Sequence, residues 1–310
     1  MATSDQGNLP IKGRIYKLTV GDINTGEGFE VDGLNMSFDV SRSADNKRGG
    51  NSAAIEIWNL TEEKRNRLNG SFLAVKLEVG YETTGLKVLV QGEVTESGTR
   101  DQGPDKVTQL VLGEGYVAVN HGRIKATTVG PGRTVADAFS EILKQMPGIA
   151  RGPWVGTNLN NPLVRGYTLR PGPVRDQLNA LAQTYGIEYS IANNVLTLTD
   201  RGKATNSQTE APLLTPDTGL VGSPFRVALD SSKSTKDKTR KFGIQARILC
   251  DASIYPGQLV KLESEQFNGF FRVYTARYFG EMDSNNWYCD LLLRDPLAVD
   301  NITPNKKTGS

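Results

Sequence analysis

The sequence predicts a mainly β protein, with two antiparallel β-barrel domains flanking a small α+β domain that carries two amphipathic helices. Three observations lead there. Runs with an apolar residue at every second position recur at both ends of the chain, separated by tight-turn residues. Helical periodicity is confined to the middle third. The 33 Gly and 14 Pro among 310 residues suit a turn-rich chain, and that length allows two or three modest domains with cores of their own.

The opening residues 1–12 are polar, with neither a charged start nor an apolar stretch, so disorder is expected there and no signal peptide. The first barrel is placed at 13–120. Its strands begin with Ile15–Val20, Phe29–Val31 and Met36–Val40. Ser41–Gly50 reads as a polar loop holding Arg42, Asp45, Lys47 and Arg48. Ala53–Leu60 alternates through Ile55 and Ile57. Thr61 caps a short helix, with Glu62 and Glu63 at its positive end and Gly70 beyond its last turn. Phe72–Val79, Leu86–Val94 and Lys106–Val119 complete the meander.

The middle domain is placed at 121–200. Thr134 caps a helix with Asp137 at its third position, and Val135, Ala138, Phe139, Ile142, Leu143 and Met146 share one stripe. Pro147-Gly148 stops it. A second helix starts at Pro173, buries Val174, Leu178, Leu181, Ala182 and Tyr185, and ends at Gly186. Ile187–Ile191 and Val195–Asp200 pair as a hairpin across Asn193-Asn194. A polar linker, 201–218, leads to the second barrel at 219–297, and a disordered tail is expected at 298–310.

The second barrel has the densest strand pattern. Phe242–Cys250 alternates through Ile244, Ala246, Ile248 and Cys250 before a Tyr255-Pro256-Gly257 turn. Gln258–Ser264 is a strand, and Asn268-Gly269 reads as a hairpin turn. Along Phe270–Phe279, strict alternation sets Phe271, Val273, Thr275 and Arg277 on one face, with Arg272, Tyr274, Ala276 and Tyr278 on the other. Gly280–Asn286 turns the chain into a last strand with Trp287, Cys289, Leu291 and Leu293 inward.

Few residues offer chemistry. His121 is the only histidine and lies in a turn, so no triad can be built around it. Cys250 and Cys289 sit at apolar strand positions and read as buried free thiols, which leaves no zinc set. The carboxylate pairs Glu62/Glu63, Glu263/Glu265 and Glu281/Asp283 fall on a helix start, strand ends and turns, as surface charge does. Gly130-Pro131-Gly132-Arg133-Thr134 lacks the Lys-Ser/Thr of a phosphate loop. No catalytic, cofactor or metal residues are assigned. A formal charge of +2 gives no basic field for nucleic acid, and no run reaches the ~18 apolar residues of a membrane span. The charge run Lys233, Lys236, Lys238, Arg240 and Lys241 reads as a solvated loop, with contact to an acidic partner surface as the alternative.

The order Gly219-Leu220-Val221-Gly222-Ser223-Pro224, Pro256-Gly257, Asn268-Gly269 and Trp287-Tyr288 resembles that of phage baseplate (tail) hub proteins of contractile or related tails. Ile55-Glu56-Ile57-Trp58-Asn59-Leu60-Thr61 resembles their first barrel. The resemblance runs from about Ile15 to Pro296. It implies a non-enzymatic structural protein of the virion, made in the host cytoplasm. It further implies a homotrimer whose two barrels per chain make a pseudo-sixfold ring between tail tube (or tube-initiator) and central spike, with tape measure and baseplate wedge proteins as further neighbours. Tyr274 and Tyr278 would then face a neighbouring subunit, and the 233–241 run a partner. The alternatives are a tail-associated peptidoglycan-degrading enzyme or a wall-binding module.

Overall fold

A computed structural model describes residues 13–22, 27–45, 51–68, 73–229 and 242–295. The strands are β1 Arg14–Gly21, β2 Gly28–Val31, β3 Met36–Ser43, β4 Ser52–Trp58, β5 Ala74–Tyr81, β6 Gly85–Gln102, β7 Asp105–Gly113, β8 Arg123–Ile124, β9 Thr127–Val129 and β10 Ala150–Val155. They continue as β11 Tyr167–Leu169, β12 Gly172–Pro173, β13 Ile187–Ala192, β14 Val195–Asp200, β15 Leu213–Leu214, β16 Leu220–Ala228, β17 Phe242–Leu249, β18 Leu259–Glu263, β19 Asn268–Glu281 and β20 Trp287–Arg294. The α-helices are α1 Glu62–Arg67, α2 Val135–Leu143 and α3 Val174–Tyr185.

Thirteen strands from the two ends of the chain form one sheet, ordered β16-β17-β20-β19-β3-β4-β7-β6-β5-β1-β2, with β18 on β19 and β15 on β18. It contains a duplication. β3, β4, β5, β6 and β7 pair in the order β3-β4-β7-β6-β5, and β16 to β20 pair as β16-β17-β20-β19-β18. One irregularity is shared as well. A bulge at Thr95 lies opposite Val111 and Leu112, and one at Tyr274 opposite Leu292 and Leu293.

Among the described residues the pairing path is open at β16 and β2, and there neither lobe closes on itself through hydrogen bonds. The two lobes are instead fused by an antiparallel seam, β3 on β19, running from Thr275 opposite Ser43 to Glu281 opposite Ser37. One apolar core spans both lobes, from Leu18 and Ile55 through Tyr278, Trp287 and Leu293. Gly280 shows how tightly the seam is packed. A β-carbon there would lie 2.5 Å from Trp287 Cε3 and 2.7 Å from Phe38 Cζ, two rings already in edge contact at 5.0 Å between centroids. Gly280→Ala is therefore expected to cost about 1–3 kcal/mol, read as a lower denaturant midpoint at unchanged m-value.

The middle domain has its own core, in which Phe139, Ile142, Leu178 and Leu181 of α2 and α3 meet Ile187, Tyr189 and Leu198. Its sheet runs β10-β14-β13, and β9, β11, β8 and β12 make two short ladders. Thr134 and Asp137 form the expected capping box, and Gly186 ends α3 in the left-handed region at φ 65°.

Several expectations change. Arg42 belongs to β3 and is buried, not looped. β7 stops at Gly113, and Val117–His121 form a π-helical turn where a strand was expected. The 201–218 segment is structured: Leu214 reaches the main core and β15 pairs with β18. Asn268-Gly269 opens β19, and the hairpin loop is 264–267, because Asn268 already pairs with Glu263. The largest change is Tyr278. The bulge at Tyr274 inserts one residue, so the alternation reverses beyond it. Val273 points inward as expected, but so do Ala276 and Tyr278, while Arg277 and Phe279 face out. Tyr278 is fully buried and its hydroxyl donates to the Ile254 carbonyl. It is part of this chain's own core, not a subunit contact.

Candidate partner-binding surface

Beyond the bulge, the outward residues of four adjacent strands stand in register. Arg277 lies opposite Asp290 on one side and Ser41 on the other, Phe279 opposite Tyr288 and Asp39, and Arg247 opposite Asp290. Arg247 holds Asp290 through two bonds, Nε–Oδ1 at 2.6 Å and Nη2–Oδ2 at 2.9 Å. Arg277 Nε lies 3.0 Å from Asp39 Oδ1. The Arg247 guanidinium sits 5.2 Å from the Phe279 ring centre and 5.5 Å from that of Tyr288, and the two rings are 6.0 Å apart. Hydrogen bonding to these carboxylates raises both arginines further above their ordinary range.

Exposed ion pairs of this kind add at most about 1 kcal/mol to stability. Their effect is positional: each carboxylate holds a guanidinium beside a ring. Arginine and aromatic side chains, partly exposed side by side on one sheet face, are the composition of protein–protein contact centres.

A cleft of about 520 Å³ adjoins this face at the bulge, lined by Tyr274, Arg294, Gln245, Leu292, Val227 and Leu229 among others. Tyr274 is nearly buried under the Arg294 guanidinium, 3.3 Å from its ring centre. Of the contact residues read from the sequence, Tyr274 alone borders this surface. Lys233, Lys236, Lys238, Arg240 and Lys241 lie outside the described residues.

Sequence reasoning missed the joint between sheet and middle domain. Asn193 and Asn194 form the β13–β14 turn with φ of 53° and 59°, as a two-residue hairpin loop requires. The tip then docks on the main sheet. Asn193 N–H donates to Glu114 Oε1 at 2.7 Å, and Asn193 Oδ1 accepts from Arg42 Nη2 at 2.7 Å and from Gln91 N–H at 2.9 Å. Arg42 and Glu114 form an ion pair whose side chains are 3% and 2% exposed. A second pair, Arg272 Nη2 to Glu188 Oε2, spans 2.8 Å and is also buried, although it lacks hydrogen-bond alignment. No local pattern announces these partners, which come from strands and turns far apart in sequence.

No reactive constellation forms from the residues considered for chemistry. His121 packs against the Tyr116 ring at 5.6 Å. Glu62 and Glu63 start α1, and Glu263 pairs with Lys261 at 2.6 Å. The Thr134 N–H already donates to Asp137, so the loop at 130–134 enters an ordinarily capped helix. Among the described residues no group of three or more His, Cys, Asp or Glu is placed to hold a metal ion, and no helix is long and apolar enough to cross a membrane. Cys250 and Cys289 are free and buried, and burial pushes the Cys250 thiol up to about 12. Both are expected to react with an alkylating reagent at least about 100-fold more slowly in the native protein than in denaturant, since the thiolate is the nucleophile. Rapid modification of either thiol, followed by mass spectrometry, would contradict this placement.

Residues 18–289 match the family described as Baseplate hub gp41. The chain belongs to that family. Solved structures share this fold at low sequence identity. The tail protein from Neisseria meningitidis MC58 superposes with a TM-score of 0.64 at 13% identity, covering 91% of this chain and 97% of that one. The 43 kDa tail protein of prophage MuSo2 from Shewanella oneidensis gives 0.62 at 11% identity, with 92% and 97% covered. An E. coli component of the type VI secretion system, described as structurally similar to T4 bacteriophage tail proteins gp27 and gp5, gives 0.56 at 10% identity, with 84% and 73% covered. A search of curated protein sequences returned no match.

Proposed function

We propose that the chain is a non-enzymatic structural subunit of a phage tail baseplate hub, resident in the virion tail after synthesis in the host cytoplasm. Three copies assemble into a ring, and each contributes two tube-like lobes. The carrying observation is the duplicated five-strand lobe fused into one sheet, because a single chain then offers two near-equivalent positions. Three such chains present six lobes to a six-fold tail tube or tube-initiator on one side, and three-fold symmetry to a central spike on the other. Tape measure and baseplate wedge proteins are the further neighbours of a ring in that place. The arginine–aromatic face and the Tyr274 cleft supply contact surface, and the 233–241 run supplies positive charge for an acidic partner.

Light scattering on the purified chain, across a hundredfold range of concentration, tests the ring. The expected mass is three times 33.8 kDa, with rings visible by electron microscopy. A monomer at every concentration would overturn the reading, and clearing of cell walls in a zymogram would overturn its non-enzymatic part.

A further inference from the structure

We propose that copies are joined by a strand pair that repeats the internal seam: β16 of one chain lies antiparallel against residues 96–101 of β6 in the next. This rests on the ring reading above and names the contact that closes it.

The duplication defines the argument. Within the chain, the first strand of lobe one, β3, pairs with the fourth strand of lobe two, β19. The reciprocal pair would be the first strand of lobe two, β16, with the fourth strand of lobe one, β6. Within one chain these two strands sit in separate parts of the sheet path, and both keep an edge that no described strand fills. β16 is the last strand of the path and, among the described strands, pairs with β17 alone. β6 spends its first half on β5 and its second half on β7, which leaves the other side of residues 96–102 unpaired among the described strands. In β19 the matching side, from Thr275 to Glu281, is the one covered by β3.

Burial tells the same story. Glu96 to Gln102 are all exposed, whereas their counterparts Ala276, Tyr278 and Gly280 are buried. On β16, Arg226 is exposed whereas Val40, its counterpart in the seam, is fully buried, and the neighbouring Phe225 is 53% exposed. An exposed strand edge that carries an aromatic residue is a template for pairing.

The shared bulges fix the register. Matching Thr95 with Tyr274 makes Gly98 the counterpart of Arg277 and Thr99 that of Tyr278. Pairing with β17 and β4 makes Val227 the counterpart of Ser41 and Arg226 that of Val40. The internal pairs Arg277–Ser41 and Tyr278–Val40 then become Gly98–Val227 and Thr99–Arg226 between copies. One step further, Arg100 meets Phe225, a guanidinium against a ring. Such a contact is head-to-tail, since each copy uses a different edge toward each neighbour, so it does not stop at a dimer and makes a ring when the rotation between copies closes.

Disulfide trapping in the full chain tests this. Two double variants are made, Gly98→Cys with Val227→Cys and Thr99→Cys with Arg226→Cys. Neighbouring antiparallel pairs alternate between narrow and wide spacing, so one of the two lies within disulfide reach. A β-carbon at Gly98 meets nothing within 4 Å, and both native thiols are buried. Oxidation should convert most of at least one double variant into covalent dimer and trimer, with no longer ladder. The single-cysteine variants should give less than a tenth of that, as should the out-of-register pair Asp101→Cys with Val227→Cys. A full-sized ring by light scattering with no cross-link from either pair would place the seam elsewhere and sink this inference alone. Chains that are monomeric and uncross-linked throughout would remove both the seam and the ring.

Discussion

Tyr278→Asp is expected to abolish folding of the single chain, not merely its assembly. The ring is fully buried where both lobes share one core, and its hydroxyl is satisfied by the Ile254 carbonyl. Removing a buried aromatic side chain of this size costs about 3–5 kcal/mol. A carboxylate left in its place adds a desolvation penalty of several kcal/mol more. Together these approach the whole stability of a typical domain, ~5–15 kcal/mol. Tyr278→Phe, which keeps the volume and loses one hydrogen bond, should cost only about 0.5–1.5 kcal/mol. Tyr274→Asp should be milder than Tyr278→Asp, because the new carboxylate lies against Arg294 at the rim of a cleft. Thermal melting beside size exclusion separates the cases, and a Tyr278→Asp chain that melts as the parent does would refute the assignment of this residue to the core.

Arg42→Ala carries the second large effect, about 3–5 kcal/mol of lost stability. Glu114, with 2% of its side chain exposed, would lose its cationic partner, and Asn193 Oδ1 would lose one of two donors. The loss comes from stranding a buried charge, so removing both charges should hurt far less than removing one. Arg42→Met combined with Glu114→Gln is expected to recover at least about 2 kcal/mol relative to Arg42→Ala. Denaturant titration of the parent and of both variants gives the numbers. Equal losses in the single and double variants would mean that the pair is not electrostatically coupled.

These two residues also mark where the sequence was readable. Local signals were legible: Thr134 with Asp137, Gly186 after α3, the Asn193-Asn194 turn and the inward cysteines each follow from spacing within a few residues. Tyr278 was not, because one inserted residue at Tyr274 reverses every side chain beyond it, and a bulge leaves no clear mark in a strand where both faces are partly apolar. Arg42 read as a loop charge because its partners, Glu114 and Asn193, arrive from about 70 and 150 residues away. The seam escaped for the same reason. The two lobes were expected to close separately, and nothing local in β3 or β19 names the other. Of the residues at this face and its cleft, Tyr274 is the one singled out from the sequence as a contact. Arg247, Arg277, Phe279 and Tyr288 became visible once register placed them side by side.

The seam also constrains how the chain is born. Ser37 and Glu281 are paired although about 240 residues separate them. At ribosomal speeds of ~5–20 residues per second, β3 waits on the order of 12–50 s before the strand that covers it has even been made. Throughout that interval the nascent first lobe displays an open, apolar-backed edge, the kind of surface that captures other nascent chains on the same polysome. Fast translation, chaperone cover of β3, or early contact between neighbouring copies would each shorten the exposure. The yield of soluble protein should consequently depend on expression rate and temperature more steeply than its equilibrium stability would suggest.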